Sequence, residues 1–257
     1  MTFRAETRLA IDAVTRALDI ARRSVSAADI SEKGERDIVT VVDVAVEDSL
    51  RRSVGTFPVV GEERGGQAPA DGSPYWLTDP ICGTRNFASG VPLFCVNLAL
   101  VEKGEVAVAV VGHPSTGEID VAERGGGAWA LDAVAPRRLT TSEANQTVVI
   151  EDGKAKGALR ERAAQFITAA VRADAWDLRS LGTTIGLPYV AAGRMAAYIC
   201  FLVSSTHTAA GSLLVTEAGG TATDIDGRPW TVDSDSIVCC ANVNLHERLL
   251  GMRRSGS

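Results

Sequence analysis

Apolar residues recur at helical spacing in two stretches near the start of the chain. Leu9, Val14 and Leu18 lie three to five positions apart among charged residues, which predicts an amphipathic helix over residues 3–24. The strand-like stretch DIVTVV leads into a second predicted helix at about residues 42–54. Two short apolar runs follow, FPVVG and YWLTDPI. They predict buried strands, the second followed by a loop and the start of a helix.

The pattern changes twice further along the chain. From Val91 to Leu131, short apolar runs are separated by KGE, HPSTGE and RGGG, which predicts an antiparallel meander. Beyond about residue 145, strand and helix patterns alternate: TVVI, a helix over 155–171, RSLGTTIGLPYVAAG as a helix, AAYICFLV as a strand, and HTAAGSLLVTEAGG as a helix. This alternation favours a more parallel α/β second half. We therefore predict an α+β half with an antiparallel sheet over residues 1–145 and an α/β half over residues 146–257.

Composition narrows the classes of partner and location. The formal net charge of -6 argues against nucleic acid or an anionic membrane as the main partner, because both attract basic surfaces. No apolar run approaches the roughly 18 residues of a membrane span. The five cysteines show neither CxxC nor zinc-type spacing, which predicts reduced thiols in a cytoplasmic protein.

Three motifs lie on predicted loops or helix starts: GEE with Glu62, DPICGTRNF with Asp79 and Cys82, and THTAAG with His207. Together with DIVTVVD, RGGGAW, RSLGTT and ANVNLHERLL, they resemble the inositol monophosphatase family over nearly the whole chain. The resemblance implies an α/β fold, built as a layered α-β-α-β-α sandwich with the site between its halves. It also implies a homodimer, and hydrolysis of phosphate monoesters with Mg²⁺ ions.

The resemblance implies a role for each matching residue. Glu62, Asp79 and the carbonyl of Ile81 match ligands of the first metal, with Asp43 as an outer contact. Thr84 matches the threonine that, with the glutamate, orients the attacking water. Gly83 and Thr84 match the residues whose backbone N–H groups hold the phosphate. Further substrate-binding positions are matched by Gly182, Thr183, Thr184 and Cys200.

The chain departs from the family motifs at two metal ligands. The family pattern has aspartate where this chain has Cys82 in DPICGT and His207 in THTAAG. Because Mg²⁺ prefers oxygen ligands, these changes predict loss of the second metal position and weakening of the first. No cofactor is therefore expected. If the backbone is kept, Cys82 and His207 face each other within a few ångströms.

A thiol beside an imidazole predicts nucleophilic catalysis by Cys82, with His207 as general acid or base. Asp79 would orient the imidazole, Glu62 would support the site, and the N–H groups of Gly83 and Thr84 would stabilise an oxyanion. The predicted function is acyl transfer, cyclisation or hydrolysis on an activated carbonyl, such as a small-molecule or carrier-bound thioester, in specialised biosynthesis.

Two alternatives remain open. One is a metal-dependent phosphatase of a sugar or inositol phosphate, using Mg²⁺ or a softer ion such as Zn²⁺ held by Cys82, His207, Asp79 and Glu62. The other is a non-catalytic binding or assembly protein on the same fold. Metal-dependent phosphate release would identify the first, and a co-purifying partner without activity would identify the second.

Overall fold

Five layers of helix and sheet alternate in the computed structural model, which describes residues 2–24, 30–34, 37–132 and 135–252. The helices are α1 (Ala5–Arg23), α2 (Val41–Ser53), α3 (Thr84–Ala88), α4 (Gly157–Ala173), α5 (Gly186–Ala191), α6 (Ser205–Glu217) and α7 (Val243–Gly251). The strands are β1 (Ile30–Gly34), β2 (Asp37–Thr40), β3 (Val59–Gly61), β4 (Tyr75–Cys82), β5 (Cys95–Glu102), β6 (Glu105–Gly112), β7 (Ile119–Glu123), β8 (Gly127–Leu131), β9 (Arg137–Arg138), β10 (Thr147–Glu151), β11 (Asp177–Arg179), β12 (Ala197–Cys200), β13 (Thr221–Thr223) and β14 (Ile237–Cys240).

Helices α1 and α2 cover one face of the first large sheet. The buried stripe of α1 includes Ala10, Val14 and Leu18, which share one apolar core with α2 and strands β4 to β7. A Cβ atom added at Gly112 of β6 would lie 2.6 Å from Val14 Cγ1, so a larger residue there would push the helix off the sheet. Both helices predicted from apolar spacing are confirmed, with ends within one or two residues.

The first large sheet has seven strands in the order β3-β4-β5-β6-β7-β8-β9. Strand β3 pairs in parallel with β4, and every other neighbouring pair is antiparallel. The predicted meander is confirmed as β5 to β8. Because β4 lies between β3 and β5 and both faces are covered, all eight of its residues are buried.

The second large sheet has five strands in the order β11-β10-β12-β14-β13. Strand β10 is parallel to β11 and β12, while β14 pairs antiparallel with β12 and β13, so the sheet is mixed. The expectation of a more parallel second half holds for three strands. Helices α4 and α7 cover its outer face through a core that includes Phe166, Ile199 and Leu245.

The middle layer consists of α5 and α6, which lie between the two sheets. Helix α6 buries residues on all sides, as expected for a helix enclosed by sheets. A Cβ atom at Gly211 would lie 2.5 Å from Leu187 Cβ, so glycine allows α5 and α6 to approach closely. The core around them contains residues of both sheets, and the domain boundary at residue 145 stays a prediction.

One predicted helix is too long. The stretch RSLGTTIGLPYVAAG forms a helix only over Gly186–Ala191, because the N–H groups of Leu181 and Gly182 donate to the Glu151 carboxylate instead of entering a helical ladder. Among the described helices, none has both the length and the apolar character needed to cross a bilayer.

Candidate active site

Strand β4 positions two of the predicted site residues, Asp79 and Cys82. Side chains three residues apart on a regular strand point to opposite faces. The pairing of β4 with β5 shifts register between these two residues, and such a bulge redirects the side chains that follow it. Asp79 and Cys82 consequently line the same cleft.

The chain turns sharply after β4 at Gly83. Its φ of 107° lies in the left-handed region, which favours glycine. A Cβ atom there would lie 3.0 Å from both Leu93 O and Thr183 Cβ. Glycine is therefore needed for the backbone of this loop to pass between β4 and the loop before α5.

The Thr84 hydroxyl is held by two hydrogen bonds at the start of α3. It donates to Asp43 Oδ1 at 3.0 Å and lies 3.1 Å from the carbonyl oxygen of Ile81. Asp43 is itself buried and forms a capping box with Thr40 at the start of α2. Burial raises the pKa of Asp43, while hydrogen bonds from Thr40 and Thr84 oppose that shift. The α2 start thus fixes the orientation of Thr84.

His207 reaches the end of β4 from the first turn of α6. Ser204 caps this helix by accepting from the N–H of Thr206. The His207 Nδ1 atom lies 2.5 Å from Asp79 Oδ2 and 3.9 Å from Glu62 Oε2. The imidazole thus contacts the carboxylate that was expected to orient it.

The GEE loop is held by a glutamate on α2 that sequence reasoning missed. Glu47 is fully buried and accepts hydrogen bonds from the N–H of Glu63 at 2.7 Å and of Arg64 at 3.0 Å. A Cβ atom at Gly61 would lie 2.2 Å from the Glu47 carboxylate, so the close approach requires glycine. Glu47 thereby positions Glu62, which lies between Gly61 and these amides.

A second missed glutamate, Glu151 at the end of β10, holds the loop before α5. It accepts from Ser180 Oγ at 2.8 Å and from the N–H groups of Leu181 at 2.5 Å and Gly182 at 2.9 Å. Burial raises the pKa of Glu151, and these hydrogen bonds oppose the shift. The loop that contains Gly182, Thr183 and Thr184 depends on this carboxylate for its shape.

Burial and charge act against each other in the Asp79–His207 pair. Burial and the nearby Cys82 raise the pKa of Asp79 to about 7, although His207 lowers it. Burial lowers the pKa of His207, but the charge and hydrogen bond of Asp79 outweigh burial and raise it well above the usual value. Burial thus opposes the charged form of both side chains, whereas the short contact between them favours it.

The Cys82 thiol is in a different environment from an activated nucleophile. The neighbouring Cys95 thiol and burial together raise the pKa of Cys82. The sulfur accepts from the N–H of Thr184 at 3.2 Å and lies 2.9 Å from Thr184 Oγ1. Burial also raises the pKa of Cys200, to about 12. Nucleophilic cysteines have a lowered pKa, so both thiols are shifted in the opposite direction.

One cleft of about 750 Å³ brings together every predicted site residue except the outer contact Asp43. They are Glu62, Asp79, Ile81, Cys82, Gly83, Thr84, Gly182, Thr183, Thr184, Cys200 and His207. The cleft is also lined by Arg85, Lys154 and Asp235, to which the sequence analysis assigned no role. The structure places these residues, while their roles stay predictions.

The residues at the centre of the cleft are able to hold a divalent cation. Ligand atoms of Asp79, Cys82 and His207 lie within 4.8 Å of one another. Asp79 is fully buried, and its Oδ1 atom has no hydrogen-bond partner among the described residues. A cation would satisfy that oxygen. The sulfur and nitrogen donors do not fit Mg²⁺, however, which prefers an octahedron of oxygen atoms.

Known proteins resemble this chain along its whole length. The model of the inositol monophosphatase family matches residues 4–256. Inositol-1-monophosphatase of Rhizobium meliloti (strain 1021) is 34% identical over 82% of this chain and 80% of its own length. Nus factor SuhB of Escherichia coli (strain K12) is 34% identical over 78% of this chain and 77% of its own. The crystal structure of extragenic suppressor protein SuhB from Bartonella henselae has a TM-score of 0.89 at 26% identity, covering 99% of this chain and all of that one.

These matches overturn the predicted function. Relatives at about this identity are named inositol-1-monophosphatase, so the matches support a phosphoric monoester hydrolase and contradict a cysteine-dependent acyl transferase or cyclase. The prediction of a catalytic Cys–His pair was wrong because proximity was taken for activation. The two side chains are neighbours as expected, but Cys95 and burial raise the pKa of Cys82 instead of lowering it.

The expectation that no cofactor is needed was also wrong. It rested on the loss of two oxygen ligands, whereas members of this family are metal-dependent. The layered fold, the cleft at the end of β4 and the family match over residues 4–256 agree with one another. The chain belongs to the inositol monophosphatase family.

Proposed function

We propose that this protein hydrolyses the phosphate monoester of a small polyol, with an inositol monophosphate as the first candidate. Relatives named inositol-1-monophosphatase support this class of substrate. The observation that carries the proposal is the Oδ1 atom of Asp79, which is buried and has no hydrogen-bond partner among the described residues. Asp79 lines the cleft together with Glu62 and Thr84. An oxygen in that position is suited to a cation that in turn binds phosphate.

The Asp79 carboxylate would hold the ion, with the Glu62 carboxylate and the Ile81 carbonyl bordering it. All three residues line the cleft. When bound, a divalent cation polarises a phosphoryl oxygen and lowers the pKa of water. The departures at Cys82 and His207 affect which ion fits, and leave this oxygen set intact.

The phosphate would bind at the turn after β4. The left-handed backbone at Gly83 shapes this turn, and we assign the phosphate oxygens to the N–H groups of Gly83 and Thr84. Arg85 and Lys154 add positive charge to the cleft lining, which favours a phosphate dianion. Thr84, fixed by Asp43, is oriented to accept a proton or a hydrogen bond from the attacking water.

The polyol would contact the wall of the cleft that the loop before α5 forms. Gly182, Thr183 and Thr184 form this wall, with their loop shaped by Glu151. Hydroxyl-bearing substrates match such backbone and side-chain polar groups. Cys200 also lines this wall, and its thiol offers a weaker hydrogen-bond partner than an oxygen would. A small-molecule substrate, a homodimer and a cytoplasmic location all stay predictions.

Phosphate release tests the proposal directly. The chelator-treated protein, kept reduced, is assayed on inositol 1-phosphate and a panel of sugar phosphates with Mg²⁺, Mn²⁺, Co²⁺ and Zn²⁺ in turn. Phosphate release with at least one ion is expected. Asp79→Asn should lower kcat/KM by about 100-fold or more, because it removes a charged ligand that supports several kcal/mol of charge stabilisation.

Asp226→Asn is the matched control. Asp226 is an exposed carboxylate paired with Arg162 at 2.8 Å, outside the cleft lining. It should leave kcat/KM unchanged. No phosphate release with any ion across the panel, or full activity in Asp79→Asn, would reject the proposed function.

A further inference from the structure

The centre of the cleft contains three donors of different chemical type: a carboxylate, a thiol and an imidazole. Their ligand atoms belong to Asp79, Cys82 and His207 and lie within 4.8 Å of one another. Two come from the end of β4 and one from the first turn of α6, so elements of the first sheet and the middle layer meet here. The grouping depends on the bulge between Asp79 and Cys82, which turns both side chains to one side.

Two observations indicate that the three donors form a ligand site instead of a closed hydrogen-bond cluster. Asp79 is fully buried, yet its Oδ1 atom has no hydrogen-bond partner in the described part of the chain. Leaving a buried oxygen unsatisfied is unfavourable, and more so for a charged group. The His207 side chain is also 25% exposed, so the cluster is open to the cleft on one side.

The donor chemistry selects among cations. Mg²⁺ requires six oxygen ligands at nearly ideal octahedral geometry, and a thiol or imidazole is a poor substitute. Zn²⁺ binds thiolate, imidazole and carboxylate, with four ligands in a tetrahedral arrangement. Three protein ligands with one open position are typical of catalytic zinc sites, whereas structural sites are closed by four.

We propose that this centre binds a zinc-type divalent ion through Asp79, Cys82 and His207, in preference to Mg²⁺. The inference deepens the proposed function by naming the class of ion, and rests on it for the catalytic consequence. Glu62 Oε2 lies 3.9 Å from His207 Nδ1, so the glutamate borders the open side of the cluster. Binding exchanges the hydrogen bond between Asp79 and His207 for two bonds to the ion. It also releases to solvent the proton of the Cys82 thiol and the proton shared by Asp79 and His207, because a metal binds thiolate, carboxylate and unprotonated imidazole nitrogen.

Cobalt provides a readout that does not depend on activity. The whole protein, stripped of metal and kept reduced, is titrated with Co²⁺ in the absence of substrate. We expect one Co²⁺ per chain, a thiolate-to-cobalt absorption band and the intense visible bands of tetrahedral cobalt. Zn²⁺ should displace the Co²⁺, and a hundredfold excess of Mg²⁺ over Co²⁺ should leave the spectrum unchanged.

Two variants identify the sulfur. Cys82→Ser should abolish the thiolate band and weaken Co²⁺ binding at least 10-fold. Cys239→Ala should keep both, because Cys239 is a buried thiol on β14 outside the cleft lining. A thiolate band that survives in Cys82→Ser, or a wild-type protein that retains no Co²⁺ or Zn²⁺ after dialysis, would overturn the proposal.

The double variant Cys82→Asp with His207→Asp tests selectivity by a gain of binding, which a misfolded protein could not show. The thermal unfolding midpoint of this variant should rise on addition of Mg²⁺, while that of the wild type should rise only with Zn²⁺ or Co²⁺. A wild type stabilised by Mg²⁺ as strongly as by Zn²⁺ contradicts the inference.

The outcomes separate this inference from the proposed function. If the thiolate-bound cobalt spectrum forms but no phosphate is released from any ester, the ion site stands and the phosphatase function fails. If phosphate is released with Mg²⁺ and no thiolate band appears, the function stands and the zinc-type site is rejected.

Discussion

The backbone N–H of Thr184 donates to Cys82 Sγ at 3.2 Å, and its hydroxyl lies 2.9 Å from the same sulfur, although the two residues are 102 positions apart. Asn97 Nδ2 also donates to the Thr184 hydroxyl, at 3.2 Å. Cys82 belongs to the seven-stranded sheet, whereas Thr184 precedes α5 in the middle layer. Thr184 therefore orients the cleft thiol and connects the first sheet to the loop before α5.

Replacing Thr184 by valine should destabilise the protein by about 1–3 kcal/mol, because the buried amide of Asn97 would lose its acceptor. Urea unfolding measures this free energy. Thr168→Val is the matched control, since the Thr168 hydroxyl donates to Ala164 O on the exposed face of α4. The control should change stability by no more than about 0.5 kcal/mol. Equal losses in both variants would contradict the connecting role of Thr184.

Glu151 should make stability depend on pH. Burial raises its pKa in the folded protein, with the nearby Asp152 adding to the shift, so the folded state binds this proton more tightly than the unfolded state. Its contribution to stability is therefore fully present below the unfolded pKa, near pH 4.3, and is lost as the pH rises through the folded pKa. The slope for one group is at most about 1.4 kcal/mol per pH unit.

Glu151→Gln removes this titration, and the comparison measures it. We expect the unfolding free energy of the wild type to fall relative to that of the variant as the pH rises from about 4 to 7. Urea unfolding of both proteins at several pH values gives the difference. A difference that is constant over this range, or one that changes in the opposite direction, would show that burial does not raise the pKa of Glu151.

The five thiols should react slowly in the native protein. All five cysteines are buried, and burial raises the pKa of Cys200 to about 12. Since the thiolate is the reactive form, each unit of increase in pKa lowers its population about tenfold at neutral pH. Ellman's reagent at pH 7.5 should label less than one thiol per chain in minutes without denaturant, and five after unfolding. Rapid labelling of one native thiol, lost in Cys82→Ala, would mean that Cys82 is activated after all.

Local patterns predicted most of the elements that build the cleft, and the motifs predicted part of its lining. Asp79 and Cys82 end a buried apolar run and His207 lies in the first turn of an apolar helix, and the motifs predicted that Cys82 and His207 face each other. The effect of these neighbours on the pKa of the Cys82 thiol could not be predicted in the same way. The pKa of Cys82 depends on Cys95, its pairing partner on the neighbouring strand β5, and on how deeply Cys82 is buried. Both of these follow only from the assembled sheet.

Glu47 and Glu151 show a second limit of sequence reasoning. Each lies in an ordinary helix or strand pattern, and its partners are backbone N–H groups 16 to 31 residues away. No local spacing marks a glutamate that accepts from a distant loop. A glycine at the end of a strand, such as Gly61 in β3, is a weak signal of such a close approach, and here it does face a buried carboxylate.

Glu47 should act as a positioning residue for the ion site. It accepts from the N–H groups of Glu63 and Arg64 and pairs with Arg51 at 2.8 Å, which fixes the loop that contains Glu62. Glu47→Gln keeps the shape but loses the charge and one acceptor. Because groups that orient ligands typically contribute 10–100-fold, we expect the variant to bind Co²⁺ about 10–100 times more weakly. We expect kcat to fall while KM for the phosphate ester changes little.

The matched control is Glu217→Gln. Glu217 likewise accepts from two backbone N–H groups, those of Gly125 at 2.7 Å and Gly127 at 2.8 Å, but it lies outside the cleft lining. It should lose a similar amount of unfolding free energy in urea and keep wild-type Co²⁺ affinity. If both variants bind Co²⁺ equally well, Glu47 only stabilises the fold. If only Glu47→Gln loses affinity for Co²⁺, then Glu47 on α2, 15 residues before Glu62 in the chain, sets the geometry of the GEE loop at the ion.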